Sequence, residues 1–165
     1  MKTNHYVYIG LGSNLKQPCH QIQHALKALA TLPQTQLLTH SPYYQSAPLG
    51  FSQQPDYING VAQLSTTLSP LVLLEWLQYL ELNQGRVRTA HRWGPRTLDL
   101  DLLLYGTQTI KSKRLTLPHP GLYQRAFVLY PLYDCTPELI LPDGQLLAEV
   151  IQHIPPTGLK RINCS

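Results

Sequence analysis

Charge is scarce in this chain of 165 residues. Asp, Glu, Lys and Arg make up 13%, about half the ~25% of an ordinary soluble domain, and no Lys or Arg occurs between Lys27 and Arg86. The three cysteines, Cys19, Cys135 and Cys164, are an odd number with no C-x-x-C pair. That excludes a disulfide-dense scaffold or a zinc module and predicts isolated reduced thiols. No apolar run approaches the ~18 residues of a membrane span, and Met1 to His5 lacks the basic-then-apolar layout of a secretory leader. A cytoplasmic protein without membrane contact is expected. The phosphate-binding loop G-x-x-x-x-G-K-[ST] is missing, as is the G-x-S-x-G of serine hydrolases. Gly10-Leu11-Gly12 begins a dinucleotide fingerprint whose third glycine never comes.

A hydrophobic content of 43% is enough for a sizeable core, and the length fits one domain over residues 1–165. The net charge of +4 suits anionic partners, and its clustering favours a nucleotide over a broad polyanion. Tyr6 to Leu11 is strand-like and ends at the Gly12-Ser13-Asn14 turn signal. Ile22, Ala25, Leu26 and Leu29 recur at helical spacing before Pro33. Gln36 to Thr39 and Tyr57 to Leu64 read as strands. Leu68 to Leu82 reads as a helix capped by Ser69, opened by Pro70 and ended by Gly85, with Leu71, Leu74 and Leu77 on its apolar face. Leu98 to Tyr105 is a further strand and Gln145 to His153 a last helix. The order β, α, β, β, α, β predicts an α+β, ferredoxin-like split βαβ sandwich, an antiparallel sheet with helices packed on one face. Pro42 to Asp56 and Gln84 to Thr97 remain long irregular loops, the usual form of lids and binding segments.

Asp99 and Asp101 form D-L-D within an apolar strand. Residues two apart share a face, ~6.6 Å apart along the strand, and two like charges there repel unless a cation lies between them. Paired oxygen ligands suit Mg²⁺, although a plain solvated face produces the same alternation of Leu98, Leu100 and Leu102. Directly upstream, R-V-R-T-A-H-R-W-G-P-R carries Arg86, Arg88, Arg92 and Arg96. Guanidinium groups grip phosphate oxygens bidentately. Together, acids and arginines point to a magnesium-bound nucleoside triphosphate.

R-W-G-P-R-T-L-D-L-D-L-L (Arg92 to Leu103) resembles the signature of the 6-hydroxymethyl-7,8-dihydropterin pyrophosphokinases. So, in the family's order, do I-G-L-G-S-N-L, A-P-L-G, Q-P-D-Y-I-N-G, E-L-N-Q-G-R-V-R, L-P-H-P and R-A-F-V-L-Y-P-L. The resemblance implies pyrophosphoryl transfer from ATP to the pterin hydroxymethyl group in folate biosynthesis. It implies two Mg²⁺ ions on Asp99 and Asp101, and Arg86, Arg92 and Arg96 acting in catalysis. The nucleotide would meet Gln78, Arg88, Leu102, Arg114, Thr116, His119 and Arg125. The pterin would lie between Tyr57 and Phe127, near Ser46, Ala47, Leu49 and Asn59, under Trp93. A monomer without a fused second folate enzyme is expected, one that hands its product to the next enzyme of the route. The rival reading is an RNA-binding split βαβ module, which the absence of an R-G-F-x-F-type segment disfavours.

Overall fold

The protein is described by a computed structural model covering residues 2–15, 17–47, 55–84 and 98–164. The chain runs β1 (His5–Ser13), α1 (Pro18–Leu29), β2 (Thr35–His40), β3 (Tyr43–Ser46), β4 (Tyr57–Thr66), α2 (Pro70–Asn83) and β5 (Asp99–Tyr105). A small hairpin of β6 (Ile110–Lys111) and β7 (Thr116–Leu117) follows. Then come a 3-10 turn (Leu122–Gln124), α3 (Ala126–Cys135), α4 (Leu147–Gln152) and β8 (Lys160–Ile162). The main sheet is antiparallel in the order β5-β1-β4-β3-β8, and β2 continues the β4 edge beyond β3. Ser41 makes that handover: its N–H donates to the Val61 carbonyl (2.8 Å) and its Oγ accepts from the Val61 N–H (2.9 Å).

The expected βαββαβ order holds, with three corrections. Pro42 to Asp56 is not irregular throughout, because Tyr43–Ser46 is a strand paired with both β4 and β8. The helices do not share one face. Val7, Ile9 and Leu11 of β1 bury against α1 and α2, while Tyr8 and Val61 bury against Val128, Leu129 and Leu132 of α3. α3 is apolar almost all round, so its sequence has no amphipathic stripe to report that second layer. Finally, β1 runs on through Gly12 to Ser13.

Helix α1 buries Ile22, Ala25, Leu26 and Leu29 as the spacing predicts. In α2 the Ser69 side chain caps the Val72 N–H (3.4 Å), but the buried stripe is Leu73, Leu77 and Leu80. Leu71 is 41% exposed, because a helix rich in leucine on every side leaves its inner face undetermined until it packs. Gly85 lies outside the described residues. β5 carries a bulge: Tyr8 pairs with Leu104 and Ile9 with Leu102, which leaves Leu103 over. Leu103 and Leu104 therefore both face α3, whereas Leu102 and Tyr105 belong to the α1–α2 core.

The cysteine expectation is also corrected. Cys19 and Cys164 form a disulfide across 145 residues, leaving Cys135 as the free thiol. Cysteines so far apart in sequence carry no spacing signal, and only β8, pairing with β3, brings the tail to α1. Gln23 Nε2 donates to the Cys164 carbonyl (2.9 Å) at the same place. Closing so long a loop restricts the unfolded chain by several kcal/mol. Cys164→Ser is expected to lower the melting temperature by about 5–15 °C in non-reducing buffer, and not at all in excess dithiothreitol. Equal melting of both proteins without reductant rejects the cross-link. Burial, helped by Asp134, pushes the Cys135 thiol up to about 12, so it stays protonated at neutral pH. An aromatic disulfide reagent at pH 8 is expected to titrate no thiol in the native oxidised protein and two after reduction. A thiol reacting before reduction counts against this arrangement.

Candidate active site

On the α3 side of the sheet, a row of residues crosses four strands. Asp99 of β5 pairs with Gly12 of β1, Gly12 with Asn59 of β4, and Asn59 with Tyr44 of β3. One step along, Asp101 pairs with Gly10, and Gly10 with Val61. Alternation puts Asp99 and Asp101 on the same face as Tyr57, Asn59 and Val61. Between the acids and Asn59 the strand offers only glycine, so the sheet carries a trough floored by bare backbone. A Cβ on Gly12 would stand 3.2 Å from Asn59 Oδ1 and 3.8 Å from Tyr57 Cδ1. Glycine weakens a strand and is favoured there where a ligand or another chain must approach the backbone.

One wall of the trough is acidic. Asp99 and Asp101 are half-buried, with Leu100 and Leu102 packed on the opposite face. The other wall is set by a buried hydrogen bond. Asn59, 5% exposed, donates from Nδ2 to Ser46 Oγ (2.7 Å), which fixes the amide with Oδ1 over the Gly12 floor. At the end of β4, Asn14 Nδ2 donates to the Pro55 carbonyl (3.0 Å) and anchors the chain that leads into Tyr57. Gly12-Ser13-Asn14 was legible as a turn and a failed fingerprint. It supplies the floor and this anchor, and Ser13 and Asn14 are buried.

The L-P-H-P segment is fastened to the acidic strand, because the His119 N–H donates to the Leu103 carbonyl (3.0 Å). His119 Nδ1 accepts from the Gly121 N–H (3.1 Å), so the neutral ring carries its proton on Nε2. Arg125 occupies the N-cap position of α3, and its guanidinium carbon lies 5.8 Å from the centroid of the Phe127 ring. A Cβ on Gly121 would collide with the Arg125 side chain, so glycine is what lets the guanidinium lie there. Phe127 is half-buried in the first turn of α3, on the same side of the sheet as Tyr57 and Asn59.

Other expected residues lie further out. Gln78 is exposed on α2, one turn from Glu75, which pairs with Arg114 at 3.7 Å on an exposed surface. Thr116 is half-buried in β7, and Ala47 is exposed just past β3. Leu102 is 3% exposed in the α1–α2 core, so only its backbone is available to a ligand. Leu49, Arg86, Arg88, Arg92, Trp93 and Arg96 lie outside the described residues. Sequence reasoning assigned no role to Gly10, Gly12, Gly121 or Glu81. The two strand glycines, inside a run otherwise rich in strand formers, are the signal that marks the floor.

The acids, the amide and the glycine floor fit a site for a metal-bound polyphosphate beside a flat polar ring. Hard carboxylate oxygens on one half-buried face are what a magnesium ion selects. The model of the family described as 7,8-dihydro-6-hydroxymethylpterin-pyrophosphokinase matches residues 8–137. The chain is 54% identical over 156 residues to the 2-amino-4-hydroxy-6-hydroxymethyldihydropteridine pyrophosphokinase of Pseudomonas aeruginosa, covering 94% of this chain and 96% of that one. To the Haemophilus influenzae enzyme of the same name it is 48% identical, covering 94% and 97%. In fold it resembles the wild-type HPPK-DHPS of Plasmodium falciparum with a TM-score of 0.75, at 12% identity. That match covers 98% of this chain and 49% of the other, so this chain spans about half the length of that protein. The RNA-binding alternative finds no support among these relatives. With seven motifs in the family's order, a family model matching residues 8–137 and relatives 54% and 48% identical over nearly their whole length, the chain belongs to the 7,8-dihydro-6-hydroxymethylpterin-pyrophosphokinase family.

Proposed function

We propose that the glycine-floored trough is where this pyrophosphokinase of folate biosynthesis brings ATP and 6-hydroxymethyl-7,8-dihydropterin together. The observation that carries the reading is the pair of unlike walls: two carboxylates on β5, and a locked amide beside Tyr57 on β4. The pterin lies against the Tyr57–Asn59 wall, with Phe127 on its other side. Asn59 Oδ1, oriented by Ser46, accepts from the ring's N–H edge, and the aromatic faces supply stacking.

Asp99 and Asp101 are the residues that would hold Mg²⁺, two ions in this reading; bound there, the metal neutralises phosphate charge and orients the transferred group. The pterin hydroxymethyl oxygen attacks the β-phosphorus of ATP in line. A new O–P bond forms, the bridging bond to the α-phosphate breaks, AMP leaves, and the hydroxyl proton passes to solvent or a nearby carboxylate. His119, bonded to the acidic strand, and Arg125 at the start of α3 contact phosphate oxygens, as do Arg86, Arg88, Arg92 and Arg96 from the sequence before β5. Gln78, Arg114, Thr116 and the Leu102 backbone border the nucleoside. Trp93, Ala47 and Leu49 are assigned to the pterin side, where keeping water from the phosphates prevents hydrolysis of ATP.

No helix among the described residues is long and apolar enough to cross a membrane. A cytoplasmic, single-domain monomer that delivers its product to the next folate enzyme completes the reading. Product analysis with hydroxymethyl-dihydropterin and ATP tests it: one AMP is expected per pterin consumed, and ADP in its place refutes pyrophosphoryl transfer.

A further inference from the structure

Glu81 stands where local rules disfavour a carboxylate. It occupies the last turn of α2, at the helix end whose carbonyl dipoles repel negative charge. It is 4% exposed, on the same inner side as Leu73, Leu77 and Leu80, where burying charge is costly. A residue that breaks the local pattern this way points to a role beyond helix formation.

The role is visible at its tip. Glu81 Oε2 accepts from the backbone N–H of Leu100 at 2.8 Å. Leu100 is the residue between Asp99 and Asp101, and β5 is the outer strand of the sheet, paired on its inner side with β1. In an antiparallel ladder successive residues alternate between bonding inward to the partner strand and outward. The N–H of Leu100 points outward, where an edge strand would otherwise meet water or another chain. The D-L-D segment is thus held by β1 on one side and by the Glu81 carboxyl on the other.

We infer that Glu81 is a positioning residue: by holding the Leu100 amide it fixes the spacing and aim of the Asp99 and Asp101 carboxylates for metal-bound ATP. The inference rests on the reading of those aspartates as the metal-holding pair. Reach, not charge alone, is what the geometry demands of the side chain. Gln keeps the length and an acceptor oxygen, whereas Asp keeps the charge and falls short by one methylene.

The experiment compares Glu81→Gln and Glu81→Asp with the parent protein. The probes are Mn²⁺ with a non-hydrolysable ATP analogue, followed by electron paramagnetic resonance, and hydrogen exchange of the Leu100 amide in metal-free protein. Glu81→Asp is expected to weaken Mn²⁺ binding about tenfold or more and to speed Leu100 exchange by a similar factor, with Glu81→Gln within about threefold of the parent in both. The inference is overturned if Glu81→Asp binds Mn²⁺ like the parent, if Glu81→Gln is the more damaged of the two, or if melting temperature falls while Mn²⁺ binding holds. Asp101→Asn separates the two levels. If it loses Mn²⁺ while Glu81→Asp does not, only the positioning role fails; if it binds Mn²⁺ normally, the aspartate reading and this inference fail together.

Discussion

Asp99→Ala and Asp101→Ala are each expected to cut the rate of AMP formation about a thousandfold or more, equivalent to about 4 kcal/mol of transition-state stabilisation. Both side chains are half-buried on the trough face, while the neighbouring Leu100 and Leu102 make the core contacts. Two carboxylates two residues apart on one face repel in the metal-free protein, so removing one is expected to cost far more turnover than melting temperature. Steady-state AMP release and a thermal melt, both on purified protein, check the two halves. Half the parental turnover in either variant removes the metal role. A parallel fall in melting temperature and activity assigns the acids to the fold instead.

Gly12→Val is expected to lower pterin affinity about a hundredfold, on the order of 3 kcal/mol. Strand propensity alone predicts the opposite sign for stability, since valine suits a central strand and glycine does not. The trough decides the matter. The first added carbon already stands 3.2 Å from Asn59 Oδ1 and 3.8 Å from Tyr57, and the two valine methyls would occupy space above the floor between the acids and the amide. Calorimetric titration with hydroxymethyl-pterin, alongside a melt, separates these effects. Unchanged pterin binding by a folded Gly12→Val protein shows that the ring lies elsewhere.

Elements with a period were legible in the sequence. α1 has four apolar residues at helical spacing, and the same four are buried. The alternation of Leu98, Leu100 and Leu102 against Asp99 and Asp101 gave the strand and the shared face of the acids. Elements defined by their partners were not. β3 and β8 are four and three residues long and owe their strand form to each other and to β4. α2 and α3 carry apolar residues on several sides, so which side faces the sheet is a tertiary decision. The site divides the same way. Charged residues are conspicuous in a chain with few of them, which is why Asp99 and Asp101 stand out within an apolar strand. Gly12 contributes an absence of side chain, and Glu81 looks like one more surface acid until the fold buries it against Leu100.

The bulge in β5 puts one more side chain on the α3 face than an unbroken ladder over the same stretch of β1 would carry. One surplus residue lets two acids and then two leucines project from the same side, so the half-buried acidic stretch passes directly into the α3 core along a single run of backbone. The same half-step turns Tyr105 towards the opposite layer, where its hydroxyl donates to the Leu68 carbonyl just ahead of α2. Removing Leu103 would leave an unbroken ladder in which Leu102, Leu104 and Tyr105 keep their partners Ile9, Tyr8 and Val7, at the cost of one side chain in the α3 core.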